Sequence, residues 1–317
     1  MAAETLGRIP PQFAVHGTIK HDYDGFVDLH LHPDGDTSDP AEEIIKAAAN
    51  SGLTGFAATN HDSTRELVRY QDVISGLGLD LELIPGVEST TLMPDNKGRY
   101  NRGHPRHALA FFEPSLLEQG NVPDVPCYMP AKEFNIFVHE HGGRTSVAHP
   151  AMGGFSFNLR QILEVQADSD PNAHFDYAEG HHGGVVNLHR FRKQNPLLAE
   201  SLHAIGLLPH VLDTNGITRT FVEHKNRSLD LKGMTAGSDA HDNVHPGISG
   251  VRYKRSNGLF FSIDNGEYAL VQSSHMAPPW NIRGVYKGTI GGWKMEIDRR
   301  RGGRNGFVIY NGDTSKN

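Results

Sequence analysis

Between Phe26 and His241 short apolar runs alternate with longer amphipathic stretches, the pattern of successive βα units. The strands it predicts are FVDLHL (26–31), TGFAAT (54–59), LELIPGVE (81–88), HALAFF (107–112), RTSVAH (144–149), FDYAE (175–179) and a last one entering GMTAGSDAH (233–241). Between the first two, Ala41, Ile44, Ile45, Ala48 and Ala49 recur at i, i+3, i+4, i+7 and i+8. That spacing predicts a helix, with Asp39 as N-cap, Pro40 at N1 and Gly52 just past its end. Further helices are expected over 64–76, 130–141, 158–166 and 191–205. So many parallel strands leave exposed edges unless the sheet closes, so the pattern favours an α/β fold, a seven-stranded, distorted TIM-like barrel. The stretch 89–106, rich in Pro, Gly, Asn and Arg, reads as an inserted functional loop. Residues 251–317 set aromatic and β-branched residues among glycines and read as β-hairpins outside the barrel. The expected division is an N-terminal extension over 1–25, the barrel over 26–250 and a β-rich C-terminal extension over 251–317.

Composition narrows the setting. The 317 residues suffice for one large α/β domain with an appendage, and no apolar run approaches the roughly 18 residues of a membrane span. The first residues lack the layout of a signal peptide and Cys127 is the only cysteine, so a reducing, cytoplasmic compartment without membrane association is expected. The net charge of −7 is uneven, because residues 251–317 hold 11 Lys/Arg against 5 Asp/Glu. Arg299, Arg300, Arg301 and Arg304 within that tail read as a solvated basic surface. The single cysteine excludes a zinc finger, and neither GxGxxG nor GxxxxGK[ST] occurs.

Histidine, at 20 residues, directs attention to spacing. His30 and His32 lie two apart at the end of a strand, where side chains alternate, so both point the same way and can share a metal. His139 and His141 have the same spacing in an expected helix, which splays them by about 200°. They read as structural, capping a helix C-terminus. His61 follows the second strand, Glu88 ends the third, His149 the fifth, and Asp239 and His241 the seventh. All fall at C-terminal strand ends, the face on which barrel enzymes build their sites. A chance scatter would not keep choosing that end, so these residues predict a metal cluster. His181 and His182, in AEGHHGG, are divided between lining the pocket and a solvent-facing loop.

DLHLH, the Asp-rich loop before PAEEI, TNHD, GVE, the histidine of HALAFF, AHP and GSDAH resemble, in motif and order, the PHP (polymerase and histidinol phosphatase) superfamily over roughly residues 26–247. The resemblance implies a distorted (β/α)7 TIM-like barrel with two or three divalent ions, Mn, Zn or Fe, at its C-terminal face, and usually action on phosphate esters. By matched position it implies metal ligation by His30, His32, His61, Glu88, His107, His149, Asp239 and His241, with Glu88 bridging two ions. For a ninth ligand the loop offers Asp34, Asp36 and Asp39; Asp39 is wanted as N-cap, which favours Asp36. Asn60 stands where the family commonly has Asp. His104 rivals His107, which is preferred because it opens an apolar strand, and Glu179 matches the family's sixth-strand Glu in part.

The expected activity is a metal-dependent phosphoesterase acting on a nucleotide, a short oligonucleotide or a small phosphorylated metabolite through a metal-activated water. Asp239 is the expected proton acceptor, His241 or His245 the acid, and Arg102, Arg106 and His245 the substrate-binding candidates. The alternatives are hydrolysis of a nonphosphate ester or carbamate and a catalytically silent binding module. Oligomeric state is not legible.

Overall fold

The computed structural model describes residues 13–17, 20–33, 40–95, 97–152, 154–183, 214–241 and 246–273. Its strands are β1 (Phe13–His16), β2 (Gly25–Leu31), β3 (Gly55–Ala58), β4 (Glu82–Pro94), β5 (Tyr100–Phe111), β6 (Met129–Pro130), β7 (Arg144–Val147), β8 (Tyr177–His182), β9 (Gly233–Gly237), β10 (Ser249–Tyr253) and β11 (Tyr268–Ser273). They hydrogen-bond in the order β1-β11-β10-β2-β3-β4-β5-β7-β8-β9, with β6 on β4. The two ends of the barrel then meet. Leu31 bridges Ala240, the Asp239 amide donates to the His30 carbonyl at 2.7 Å, and the His32 amide donates to the Ala240 carbonyl at 3.0 Å. The seven expected strands therefore form a nearly closed barrel.

The helices are α1 (Ala41–Asn50), α2 (Leu67–Gly76), α3 (Pro114–Glu118), α4 (Ala131–Glu140), α5 (Leu159–Gln166), α6 (Thr214–Leu229) and α7 (Leu259–Asp264). The apolar stripe that predicts α1 is its buried face, with Ala41, Ile44, Ile45 and Ala48 packed with Phe26, Leu31 and Phe56 of the sheet. Strand residues Val27, Leu29, Ala57, Ile84, Leu109, Val147, Ala178 and Met234 share a second core that fills the barrel and continues to Phe134 and Ile162 of α4 and α5. Among the described residues no helix is long and apolar enough to cross a membrane. The expected helix at 191–205 lies outside the described residues.

The structure corrects three expectations. First, the barrel is not all parallel: β5 runs antiparallel to both β4 and β7. Second, 89–106 is not an inserted loop. It continues β4 and opens β5 as a long antiparallel hairpin, because Thr90, Thr91, Leu92 and Met93 are buried strand formers. The polar signal belongs to the turn, where Asp95 accepts the Lys97 and Arg99 amides at 2.8 and 3.0 Å. Third, α1 begins at Ala41 and its N-cap is Pro40, which has no capping side chain. The reason for reserving Asp39 as N-cap, and so for preferring Asp36, is gone. From the expected C-terminal extension, Val251–Tyr253 pair antiparallel with Gly25–Val27 and carry β11 alongside.

Barrel closure depends on one glycine and one buried carboxylate. A Cβ at Gly237 would fall on the Cβ and amide nitrogen of His30. Asp28 accepts the Ser238 amide at 2.9 Å, the His30 amide at 3.1 Å and the Gly247 amide at 3.0 Å. Gly237→Ala is expected to destabilise by roughly 1–3 kcal/mol, the usual cost of overpacking, and calorimetry of the purified variant checks it.

At the other end of the barrel Asp176 gathers three elements: His139 Nε2 of α4 donates to it at 2.8 Å, the Thr145 amide of β7 at 2.8 Å, and Lys232 before β9 at 2.7 Å. His139 also reaches the Asn172 carbonyl at 2.8 Å, so it ties α4 to the next loop, whereas His141 Nδ1 donates to the Phe137 carbonyl and caps its own helix. Burial alone would lower the His139 pKa, but Asp176 raises it above the usual imidazole value of 6.5. The Asp176 carboxyl, despite its burial, is held below the carboxylate value of 3.8 by His139 and Lys232. The His139 contribution is therefore full below pH 6.5 and fades as pH rises through its raised value. Wild type should exceed His139→Gln in urea stability at pH 6 by roughly 1 kcal/mol more than at pH 8.5. An equal difference at both pH values would show that the charge contributes nothing.

Candidate metal centre

The carboxylate of Glu88, fully buried on β4, lies at the middle of five imidazoles. Its Oε2 faces His61 Nδ1 at 2.9 Å, His32 Nε2 at 3.3 Å and His30 Nε2 at 3.4 Å. Its Oε1 faces His107 Nδ1 and His149 Nε2, each at 2.9 Å. Asp239, just past β9, adds Oδ1 at 3.4 Å from His30 Nε2, 3.1 Å from His32 Nε2 and 3.2 Å from His241 Nε2. The rings of His32 and His241 stack with centroids 4.1 Å apart and planes 9° from parallel.

The fold brings these groups together because each sits where its strand reaches the same end of the barrel. His107 belongs there because β5 is reversed: it pairs with Thr90, two residues beyond Glu88. His61 and Glu88 form a parallel bridge, and Asp62 locks the turn by accepting the Thr90 amide at 2.5 Å and the Thr90 hydroxyl at 2.9 Å. His149 and Asp239 both hold left-handed backbone, at φ 31° and 51°. Non-glycine residues adopt such a conformation at a cost of about 1–3 kcal/mol each, and it persists where surrounding contacts impose it. Phe155 lies flat against His107, with ring centroids 4.9 Å apart, and its carbonyl accepts the His107 amide at 2.7 Å.

Electrostatics distinguish this cluster from an ordinary buried histidine network. Burial pushes His32 down to about 3, helped by neighbouring His241, so its ring is neutral. Both His32 ring nitrogens and His30 Nε2 are buried without a hydrogen-bond partner. Burial opposes ionisation of Glu88 and Asp239, but the surrounding imidazoles hold both well below the usual carboxylate range. For His30 the burial penalty is outweighed by Glu179, Glu88 and Asp239, which raise it well above 6.5. Two buried carboxylates among so many ring nitrogens, only some of which burial keeps neutral, form a donor set that a shared cation would satisfy. Four overlapping groups of donor atoms lie within 4.8 Å of one another: His30/His32/Glu88/Asp239, His32/His61/His241, His61/Glu88/His107 and His30/Glu179/His182. This donor set suits divalent ions.

Of the residues named from sequence, His30, His32, His61, Glu88, His107, His149, Asp239 and His241 are thus brought together. Asp36, its rivals Asp34 and Asp39, and His245 lie outside the described residues, as does the side chain of His104. The two arginines are engaged elsewhere. Arg102 stacks over the Tyr128 ring at 5.1 Å, and Arg106 donates to Gln161 at 3.0 Å and to the Pro105 and Gly154 carbonyls at 2.8 and 3.2 Å. Asn60 turns to the Tyr70 hydroxyl of α2.

Sequence reasoning did not assign Glu179, His182 or Ser156. Glu179 accepts from His30 Nδ1 at 3.0 Å and from the His149 amide at 2.6 Å; His182 Nε2 donates to Asp239 Oδ2 at 3.0 Å; Ser156 meets His149 Nδ1 at 2.8 Å. The signal for the first two was Gly180, since a glycine within a strand pattern marks a bulge that changes which side chains share a face.

No family model matches the chain, and no curated protein matches it. The chain is similar to solved PHP-like proteins. A two-domain protein containing a predicted PHP-like metal-dependent phosphoesterase from Bacteroides vulgatus shares 13% identity, with 84% of this chain and 68% of that one covered at a TM-score of 0.49. An amidohydrolase from Chromobacterium violaceum with bound sulfate shares 16%, covering 68% and 87% at a TM-score of 0.43. The lesion-specific endonuclease PfuEndoQ from Pyrococcus furiosus shares 14%, covering 77% and 55% at 0.43.

Glu88→Gln keeps the shape of the central side chain and removes its charge. It is expected to weaken binding of Mn2+ or Zn2+ by well over about tenfold, read as lost metal per chain by plasma mass spectrometry. Unchanged metal content in the folded variant would remove Glu88 from the centre.

Proposed function

We propose that this protein is a metal-dependent hydrolase of the PHP type that cleaves a phosphate ester of a nucleotide, short oligonucleotide or small metabolite. The observation that carries the reading is Glu88, whose two oxygens face two separate sets of imidazoles, as a carboxylate bridging two cations must. His30, His32, Glu88 and Asp239 would hold one ion, Glu88, His107 and His149 a second, and His61 with His241 part of a third. Mn, Zn and Fe all suit nitrogen and carboxylate donors. Bound ions of this class supply Lewis acidity, lower the pKa of water and neutralise charge on phosphoryl oxygens.

The chain's own groups do the rest. Asp239 presents Oδ1 to the cluster while its Oδ2 is held by His182, so one oxygen is oriented to accept a proton from an attacking water. His241 Nε2, 3.2 Å from Asp239 Oδ1 and at the partly open side of the cluster, would hand a proton to the leaving oxygen only while it holds no ion, so its roles as ligand and as acid are alternatives. No serine or cysteine is needed as nucleophile.

Metal-reconstituted protein should hydrolyse p-nitrophenyl phosphate, and His61→Ala and Asp239→Asn should each lower kcat/KM at least about a hundredfold. Turnover of p-nitrophenyl acetate with none of the phosphate would replace the phosphoesterase reading with carbonyl-ester hydrolysis. A panel of nucleotides, bisphosphates and oligonucleotides then ranks the substrate class.

A further inference from the structure

β8 is irregular at the one place where it meets the cluster. Its register with β9 shifts between Glu179 and His181, a bulge centred on Gly180. In a regular strand residues three apart point to opposite faces, yet here Glu179 and His182 both reach the cluster. A Cβ at Gly180 would lie 2.8 Å from Leu270 Cδ1 and 2.8 Å from Met234 Sδ, and Arg219 of α6 donates to the Gly180 carbonyl at 3.1 Å.

Each of the two side chains touches a candidate ligand on the side facing away from Glu88. A carboxylate oxygen can only accept from an imidazole nitrogen, so Glu179 Oε1 holds a proton of His30 on Nδ1, and Nε2, 3.4 Å from both Glu88 Oε2 and Asp239 Oδ1, is the nitrogen whose proton a cation would displace. Its other oxygen takes the His149 amide at 2.6 Å, holding a backbone at φ 31°. By the same rule His182 Nε2 donates to Asp239 Oδ2, which leaves Oδ1 facing His30, His32 and His241. Both groups are buried, at 1% exposure each.

We propose that the β8 bulge makes Glu179 and His182 paired positioning residues, which set the His30 tautomer and the Asp239 carboxylate orientation and thereby the affinity of the site for its cations. This rests on the metal reading above. Outer partners of this kind typically change metal affinity by about 10–100-fold.

The test exploits two amide side chains of similar polarity. Glutamine places an N–H near where histidine Nε2 lies, asparagine where Nδ1 lies, so His182→Gln retains the donor to Asp239 and His182→Asn loses it. Zn2+ affinity is measured by competition with a chromophoric chelator, the visible spectrum of the Co2+ form reports ligand geometry, and urea unfolding of the metal-free proteins reports the fold. Expected are an affinity loss of about 10–100-fold in His182→Asn and Glu179→Gln with an altered Co2+ spectrum, and near wild-type affinity in His182→Gln. Two results would overturn the proposal: equal affinities in all folded variants, or losses in Gln and Asn alike that track urea midpoints, which is the mark of a structural role. If Asn fails to fold, the Glu179→Gln and His182→Gln proteins decide the matter by the same criteria. Wild type that binds neither Zn2+ nor Co2+ would overturn the metal reading itself and this proposal with it.

Discussion

A buried carboxylate surrounded by imidazoles is stable only if something positive sits among them, and Glu88 imposes that constraint on the whole upper end of the barrel. Its desolvation alone would drive it toward protonation, while the rings around it hold it ionised. Among the same rings His30 Nε2 and both nitrogens of His32 are buried without a hydrogen-bond partner. Unpartnered buried polar atoms each cost about 1–3 kcal/mol, a cost that the proposed cations would offset. The left-handed backbones of His149 and Asp239 add to that stored cost, and the amide contacts of Glu179 and of the His30 carbonyl hold them in place.

The scaffold answers this with stiffness elsewhere. Asp28 ties β2 to the segments after β9 through two backbone amides, those of Ser238 and Gly247, and Asp62 and Thr90 fix the turn that carries His61. At the far end of the barrel Asp176 does similar work among α4, β7 and the entry to β9. The two ends differ in kind. At the far end Asp176 is paired with His139 and Lys232, whereas near Glu88 the carboxylates face imidazoles alone among the described residues.

Most of this was legible in the sequence, because period-two alternation and strand-end position are both local properties. His30 and His32 two apart, Glu88 ending an apolar run and Asp239 with His241 after GMTAGS were enough to locate the site. Direction was not legible: an apolar run reads alike in either sense, so the antiparallel course of β5 was missed, and with it the hairpin that replaces the expected loop over 89–106. The helix start also misled, since Pro40 occupies the capping position and nothing local distinguishes it from a residue one place further in. Glu179 and His182 were left undecided because a bulge breaks the very alternation that made the other residues readable.

Closure of the barrel by β2 and β9 has a consequence for biosynthesis. Asp239 and His241 leave the ribosome some 200 residues after the first strand to supply donors, and the contacts Leu31 to Ala240 and His30 to Asp239 span that intervening chain. Until then His30 and His32 sit beside an unfinished wall, and the entropy of bringing such distant segments together has to be met by cooperative packing of all the strands between. Completion of the centre is thus a late event in the life of the nascent chain, and a polypeptide released before residue 239 carries His30, His32, His61, Glu88, His107 and His149 without Asp239 and His241.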